Sequence, residues 1–133
     1  MSVQTVRAEL ANILTVWLEE DGWTVTTATR PDVASRTVAI GHALRVDPQS
    51  LASFRADLAV SLWVNEGDDA TSVDALYELL SPGARSIHSF LVNHPTFVLA
   101  GSPAAGNVGP RDEGPSGFLV ADLIVPVVVV ETT

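Results

Sequence analysis

The chain has 133 residues and a mass of 14.0 kDa, which suffices for one domain and is short for two. Hydrophobic residues make up 47% and charged residues 17%, a balance that favours a folded protein over a disordered one. The net charge is −9, and all seven basic residues are dispersed arginines, so the sequence argues against a protein that binds nucleic acid through a basic surface. The absence of cysteine excludes disulfides and thiolate chemistry.

No segment predicts a membrane span or a signal peptide. The N-terminus lacks a basic start and an apolar run. The most apolar stretch, 118–130, is shorter than the roughly 20 residues of a membrane helix and contains Asp122 and Pro126. We therefore expect a soluble protein that is intracellular or part of a particle, with no membrane partner.

The first segment, Ser2 to Asp21, predicts one amphipathic helix. Its apolar residues recur at three- and four-residue steps: Val3, Val6, Leu10, Ile13, Leu14, Trp17 and Leu18. Ser2 is a typical cap, and Gly22 follows the end. Glu19, Glu20 and Asp21 stand at the carbonyl end, where negative charge costs roughly 0.3–1 kcal/mol per group. These acids either form a solvated helix end or face a partner or an acidic pore.

Three strands are predicted next, at Trp23 to Thr29, Thr37 to Val46 and Asp57 to Asn65, in an antiparallel meander. Alternation in the second strand places five residues on one face: Val38, Ile40, His42, Leu44 and Val46. In the third strand the shared face holds Leu58, Val60, Leu62 and Val64. Trp63 lies on the opposite face, where it either shields the sheet within the subunit or forms an exposed subunit contact.

An interrupted helix follows. Thr71 and Asp74 resemble a capping box ahead of an apolar stripe that reaches Leu80. A second short helix is predicted from a Ser81 cap with Pro82 at the first helical position. Strands are then predicted at Thr96 to Gly101 and at Phe118 to Glu131.

Between these last two strands, residues 102–117 predict a long loop. The stretch 101–117 holds five glycines and three prolines, and Val108 is its one large aliphatic residue. Such a loop cannot bury itself, so we expect it to order only on assembly. Its charged residues Arg111, Asp112 and Glu113 are candidate contacts, as are Val127 and Val129 of the valine-rich last strand, which must be paired or covered.

No pattern in the chain predicts catalysis. His42 reads as a packed strand residue, and the spacing of His88 and His94 fits no zinc motif. The sequence lacks a nucleophile elbow, a phosphate loop and the spacing of a calcium loop. We therefore expect a protein without enzymatic activity, cofactor or metal.

Together these elements predict a single α+β domain over residues 1–133. We expect a mostly antiparallel sheet of about five strands with two helices packed on one face.

The order of elements resembles the tail terminator proteins of long-tailed bacteriophages. The matching pieces are VRAELANILTVWLEEDGW, RTVAIGHALRV, DLAVSLWVNEGDDATSVDALYELL and GFLVADLIVPVVVVE. The resemblance implies a structural ring protein, hexameric in that family, at the head-proximal end of the tail tube. Such a ring stops tube polymerisation and joins the tail to the neck, and the genome passes through its lumen without specific binding. Its partners would be copies of itself, the tail tube protein and neck or connector proteins.

The implied location is the tail–neck junction of the virion, with the host cytoplasm as the place of assembly. Two alternatives stay open. One is another head–tail connector or neck protein, which would bind on the portal side. The other is a non-viral α+β domain that binds a ligand or a protein in a concave pocket.

Overall fold

The computed structural model describes residues 2–27, 36–64, 69–80, 86–95, 97–110 and 119–130. They form a mixed sheet with helices on one face, which confirms the α+β class. Within these ranges the chain forms three α-helices, where two were expected. In chain order the elements are α1 Val3–Leu18, β1 Thr24–Thr26, β2 Arg36–Pro48, β3 Ser53–Val64, α2 Asp69–Leu80, α3 Ile87–Val92, β4 Ala104–Pro110 and β5 Leu119–Val130.

The sheet has the strand order β1-β2-β3-β5-β4. The pairs β2–β3, β3–β5 and β4–β5 are antiparallel. The predicted meander is wrong at β1, which runs parallel to β2, with Thr24 opposite Thr37. Residues 27–35 separate these two strands. This connection is longer than the turn of a tight hairpin, so it does not require the two strands to be antiparallel.

The first helix has the predicted caps. Ser2 Oγ accepts a hydrogen bond from the Thr5 amide at 3.2 Å. At the other end Gly22 adopts a φ of 79°, and its amide and that of Trp23 donate to the carbonyl oxygens of Glu19 and Leu18, each at 3.3 Å. This pattern is a Schellman motif. The three acids between α1 and Gly22 form a single 3-10 turn, Glu19–Asp21.

The core lies between the helices and the sheet face that carries the even-numbered residues of β3. All four of those predicted core residues are buried: Leu58, Val60, Leu62 and Val64. Against them pack eight buried helix residues: Val6, Leu10, Leu14, Leu18, Leu76, Leu79, Ile87 and Leu91. Burial of one such leucine or isoleucine contributes about 1.5–3 kcal/mol, so this layer holds the helices on the sheet.

Two irregularities interrupt β2 and change the predicted faces. Ile40 stands opposite Val60, Ala43 opposite Leu58 and Arg45 opposite Asp57, so β2 gains one residue at each step. Ala43 therefore packs against the core, while His42 and Leu44 are exposed. The interpretation of His42 as a packed residue is wrong for this reason.

Val46 stands opposite Ala56 and so returns to the helix-side face of the sheet. It is nevertheless 49% exposed. The hairpin of β2 and β3 thus extends past the helices that cover the rest of this face.

The middle helices begin at residues other than those predicted. α2 starts at Asp69, which places Thr71 inside the helix and not at its cap. The cap of α3 is Ser86, whose Oγ accepts from the Ser89 amide at 3.1 Å. Ser86 directly precedes the buried Ile87, so the apolar run begins where the capping oxygen stands. The predicted cap, Ser81, lies outside the described residues.

The prediction of a loop over residues 102–117 is wrong in its first half. Residues Ala104–Pro110 form β4, which pairs with β5 from Ile124 to Leu119. Backbone groups alone make such a ladder, so a segment of small residues forms a strand without any apolar periodicity. Residues 111–117 of the predicted loop lie outside the described residues.

Of the strand predicted from Thr96 to Gly101, Thr96 lies outside the described residues, and the described part 97–101 forms one bridge, between Leu99 and Val127. The Ala100 amide donates to the Pro126 carbonyl at 3.0 Å, and the Val128 amide donates to the Val98 carbonyl at 3.4 Å. This segment therefore covers the half of β5 that β4 does not reach.

Candidate protein interface

Trp63 is buried within the subunit. Its side chain is 5% exposed and packs in a small cluster with Ala39 and Val120 on the sheet face opposite the helices. Its Nε1 donates to Ser61 Oγ at 2.8 Å. Of the two interpretations, shielding of the second face is the one that fits, and an exposed subunit contact at Trp63 is wrong.

Val127 and Val129 are also buried, in the main core. Their register explains this: Val127 stands opposite Ala56 and Val129 opposite Phe54, both on the helix-side face. Their assignment to an interface is therefore wrong. The other candidate contacts, Arg111, Asp112 and Glu113, lie outside the described residues.

The acidic turn after α1 lies at the surface. Glu19 and Glu20 are exposed, and Arg36 Nη1 donates to the Asp21 carbonyl at 3.1 Å. The arginine thereby fixes the turn to the start of β2. That this turn faces a partner or a pore stays a prediction.

An apolar groove runs between α1 and α3, with a volume of about 490 Å³. Its lining comes from Ile13, Val16 and Trp17 of α1 and from Phe90 and His94 at α3 and just after it. The Trp17 and Phe90 rings stack with their centroids 4.2 Å apart and their planes 7° apart. We call these five residues the α1–α3 groove.

His94 lines this groove beside Phe90. Its ring meets the Phe90 ring edge-on, with centroids 5.5 Å apart. Its Nδ1 accepts from the Phe97 amide at 3.1 Å, so the ring is anchored to the chain after α3. The groove is open to solvent, since Val16 is 75% exposed.

A second exposed apolar surface lies on the β2–β3 hairpin. Leu44 is 56% exposed, and Val46 and Leu51 are exposed with it. Two arginines, Arg45 and Arg55, lie on the other face of the same hairpin, because Arg45 stands opposite Asp57 and Arg55 opposite Asp47, whereas Val46 stands opposite Ala56. We call the three apolar residues the hairpin surface.

The hairpin arginines each pair with an aspartate of the same strand. Arg45 pairs with Asp47, and Arg55 Nε lies 3.0 Å from Asp57 Oδ1. Across the strands Arg45 stands opposite Asp57, and Asp47 stands opposite Arg55. The four charges sum to zero, so this end of the hairpin is neutral in a strongly acidic chain.

Arg7 supports the hairpin from α1. Its guanidinium donates to the carbonyl oxygens of Gly41 at 2.8 Å, Ile40 at 2.9 Å and Thr27 at 2.8 Å. The carbonyls of Ile40 and Gly41 lie at the first irregularity of β2, just past the residues that pair with β1, and Thr27 directly follows β1. Nothing in the sequence marks Arg7, because one arginine on a helix carries no signal of its carbonyl partners.

All four arginines within the described ranges, Arg7, Arg36, Arg45 and Arg55, make contacts inside the subunit. Over the same part of the chain, no group of three histidines and acids could hold a metal ion. None of the described helices is long and apolar enough to cross a membrane.

The groove and the hairpin surface are thus the candidate sites, and both point to protein contacts. No protein-family model matches this chain, and no characterised protein is significantly similar to it.

Proposed function

We propose that this protein is a non-catalytic structural subunit of a homo-oligomeric ring. The observation that carries the proposal is that two separate groups of exposed apolar side chains, the α1–α3 groove and the hairpin surface, lie on the subunit. A ring is built from a head-to-tail contact between two different surfaces of one subunit. A protein with two such surfaces is therefore equipped for this assembly.

Within this class, we propose a tail terminator, which caps the head-proximal end of a phage tail tube and joins the tail to the neck. The order of elements, with a helix first, strands, helices and a closing strand, supports this resemblance. The net charge of −9 fits a lumen through which DNA passes, because carboxylates repel phosphates and do not retain them.

A second candidate is a binding domain without ring assembly. The groove of about 490 Å³ favours it, because an apolar groove that contains a stacked aromatic pair and the polar ring of His94 suits a small ligand or a peptide side chain. Such a domain would stay monomeric or dimeric. A neck protein is a further alternative, which would bind on the portal side of the junction.

The test is a capping experiment with the cognate tail tube protein. Tube subunits are allowed to polymerise with and without this chain, and tube lengths and end occupancy are measured by electron microscopy. We expect tubes that stop lengthening at one end and carry a ring of this protein there. Unchanged tube growth with no protein at either end would contradict the proposal. Binding to portal-side components alone would point to the neck protein.

A further inference from the structure

We propose that the strand edge at Leu99 binds a short, extended and uncharged peptide segment of a partner protein by strand addition. The site lies at the outer edge of the segment that pairs with β5, beside a cavity that shares only His94 with the α1–α3 groove. This binding function goes beyond the proposed ring and does not depend on it.

The backbone of Leu99 points away from the sheet. Leu99 forms an antiparallel bridge to β5, but the hydrogen bonds of this bridge come from the residues on either side of it. The Ala100 amide donates to the Pro126 carbonyl oxygen at 3.0 Å. The Val98 carbonyl oxygen accepts from the Val128 amide at 3.4 Å. Successive residues of an extended chain direct their amides and carbonyls to opposite edges, so those of Leu99 face outwards.

The outward backbone groups of Leu99 are open. Two residues earlier, the Phe97 amide donates to His94 Nδ1 at 3.1 Å, so a side chain of the same subunit satisfies that donor. Within the described residues, the Leu99 amide and carbonyl oxygen have no hydrogen-bond partner. A donor and an acceptor on one extended residue match the acceptor and the donor of another extended chain, which is the basis of recognition by strand addition.

A cavity of about 550 Å³ lies beside this edge. Its lining includes Leu91 and Val92 of α3, Pro95 and the segment 97–102, and apart from the His94 ring none of the lining residues is ionisable. The Leu99 side chain packs against the core on the helix side of the sheet. A peptide residue opposite Leu99 directs its own side chain to the same side, towards the end of α3. The site therefore suits an uncharged peptide with an apolar residue at that position.

Prolines limit the open edge to a short segment. Pro95 and Pro103 flank residues 97–101, and a proline has no amide to donate to a ladder. Further along the same edge, β4 has a register irregularity between Ala105 and Val108. Prolines and bulges discourage the pairing of long strands. These features select a short peptide as the occupant over the edge of a second sheet.

The first test measures amide hydrogen exchange by NMR in the full-length protein. The probe is a peptide of alternating threonine and valine with both ends blocked. We expect the Leu99 amide to exchange quickly in the free protein and more slowly when the probe is added. The Ala100 amide is the internal control, because its bond to Pro126 exists without the peptide and its exchange rate should not change.

Two methylated versions of the probe distinguish strand addition from apolar contact. One carries N-methyl groups on the valines and the other on the threonines, so each lacks the amide donors of one edge. A peptide that is bound through one edge tolerates methyl groups on the other edge alone. We expect one methylated probe to bind and the other to lose binding. Binding of both, or of neither, would overturn the proposal.

A pair of variants tests the cavity. Val92→Glu places a charge on the cavity wall and should lose binding of the unmethylated probe. Val46→Glu is the matched control, because the two valines are 51% and 49% exposed and Val46 lies on the hairpin surface. Circular dichroism should show that both variants keep the fold. Equal affinity of the two variants for the probe would rule out this cavity as the site.

The fate of this inference is separate from that of the ring. A native protein that does not bind the probe, with unchanged exchange at Leu99, would overturn the peptide site and leave ring assembly and tube capping untouched. Binding of the probe to a protein that never caps a tube would support the peptide site and count against the terminator.

Discussion

Arg7 joins the first helix to β2 through Gly41, whose carbonyl oxygen accepts a hydrogen bond from Arg7 Nε at 2.8 Å. The same guanidinium also holds the neighbouring Ile40 carbonyl. Gly41 lies so close to β3 that an added Cβ would come within 3.1 Å of the Ala59 carbonyl oxygen. A helix, a strand irregularity and a close backbone approach are thus connected at the base of the projecting hairpin.

Replacing Arg7 should destabilise the protein. In Arg7→Ala the part-buried carbonyls lose their donor, which costs about 1–3 kcal/mol. Arg7→Lys should recover part of this loss, since an ammonium group lacks the planar fork that reaches several carbonyls. The free energy of unfolding from urea denaturation measures both.

Arg45→Ala is the control for Arg7, because its ion pair with Asp47 is exposed and exposed pairs are worth about 0–1 kcal/mol. Equal losses at Arg7 and Arg45 would contradict the structural role of Arg7.

The burial of Trp63 predicts a loss of stability and not of assembly. Trp63→Ala should cost about 3–5 kcal/mol, as large core truncations do. Trp63→Phe should cost less, because it keeps an aromatic ring in the cluster, although it loses the hydrogen bond to Ser61. Chemical denaturation gives the stabilities, and light scattering at a temperature where both variants are folded gives the mass. A stable Trp63→Ala protein that fails to assemble would restore the interface interpretation.

Trp17 and Phe90 should be energetically coupled. A double-mutant cycle with Trp17→Leu and Phe90→Leu should give a coupling free energy of about 0.5–1.5 kcal/mol. The same cycle between Trp17 and Tyr77, an exposed residue of α2, should be additive. Unfolding curves of the singles and doubles supply the values. Additivity for the Trp17–Phe90 pair would count against the stacked groove wall.

Gly22 should tolerate substitution poorly. Its φ of 79° is left-handed, so Gly22→Ala should destabilise by about 1–2 kcal/mol, and Gly22→Asn by less. Gly101→Ala is the matched control, because an added Cβ there meets Pro126 at an ordinary 3.6 Å. Thermal or urea unfolding measures the loss of stability in each variant. Equal losses at Gly22 and Gly101 would contradict the role of Gly22 as a helix cap.

Local signals made part of the fold predictable. Ser2 and Gly22 mark the ends of the first helix, with the three acids in a 3-10 turn, because capping depends on residues next to each other in sequence. The alternation in β3 predicts its buried face for the same reason.

Other features depend on which strands and residues pair with each other in the sheet, and the sequence alone does not identify these pairs. The alternation of β2 continues through two irregularities, so His42 and Leu44 keep the pattern of a core face that they do not occupy. β4 consists of small residues paired through their backbone, and nothing periodic marks it. Val127 and Val129 look identical to exposed strand residues until the register with β3 is known.

The groove was not predicted as a site. The helical pattern puts Ile13 and Trp17 in the core stripe of α1, whereas both are only partly buried there and line the groove, and Trp17 stacks on Phe90. The usable signal was Val16, which widens the apolar face of the helix beyond what one sheet covers. The hairpin surface had no local signal, since its exposure results from where the helix layer ends.

The central claim, that copies of this chain assemble into a homo-oligomeric ring, is tested most directly by the mass of the protein in solution. Multi-angle light scattering over a concentration series, alone and with tail tube protein, measures that mass. The account predicts one closed species at a fixed multiple of the 14.0 kDa subunit, a hexamer if the resemblance holds, formed either alone or on the tube. A subunit that stays a monomer or a dimer at every concentration, and ignores the tube protein, would contradict it.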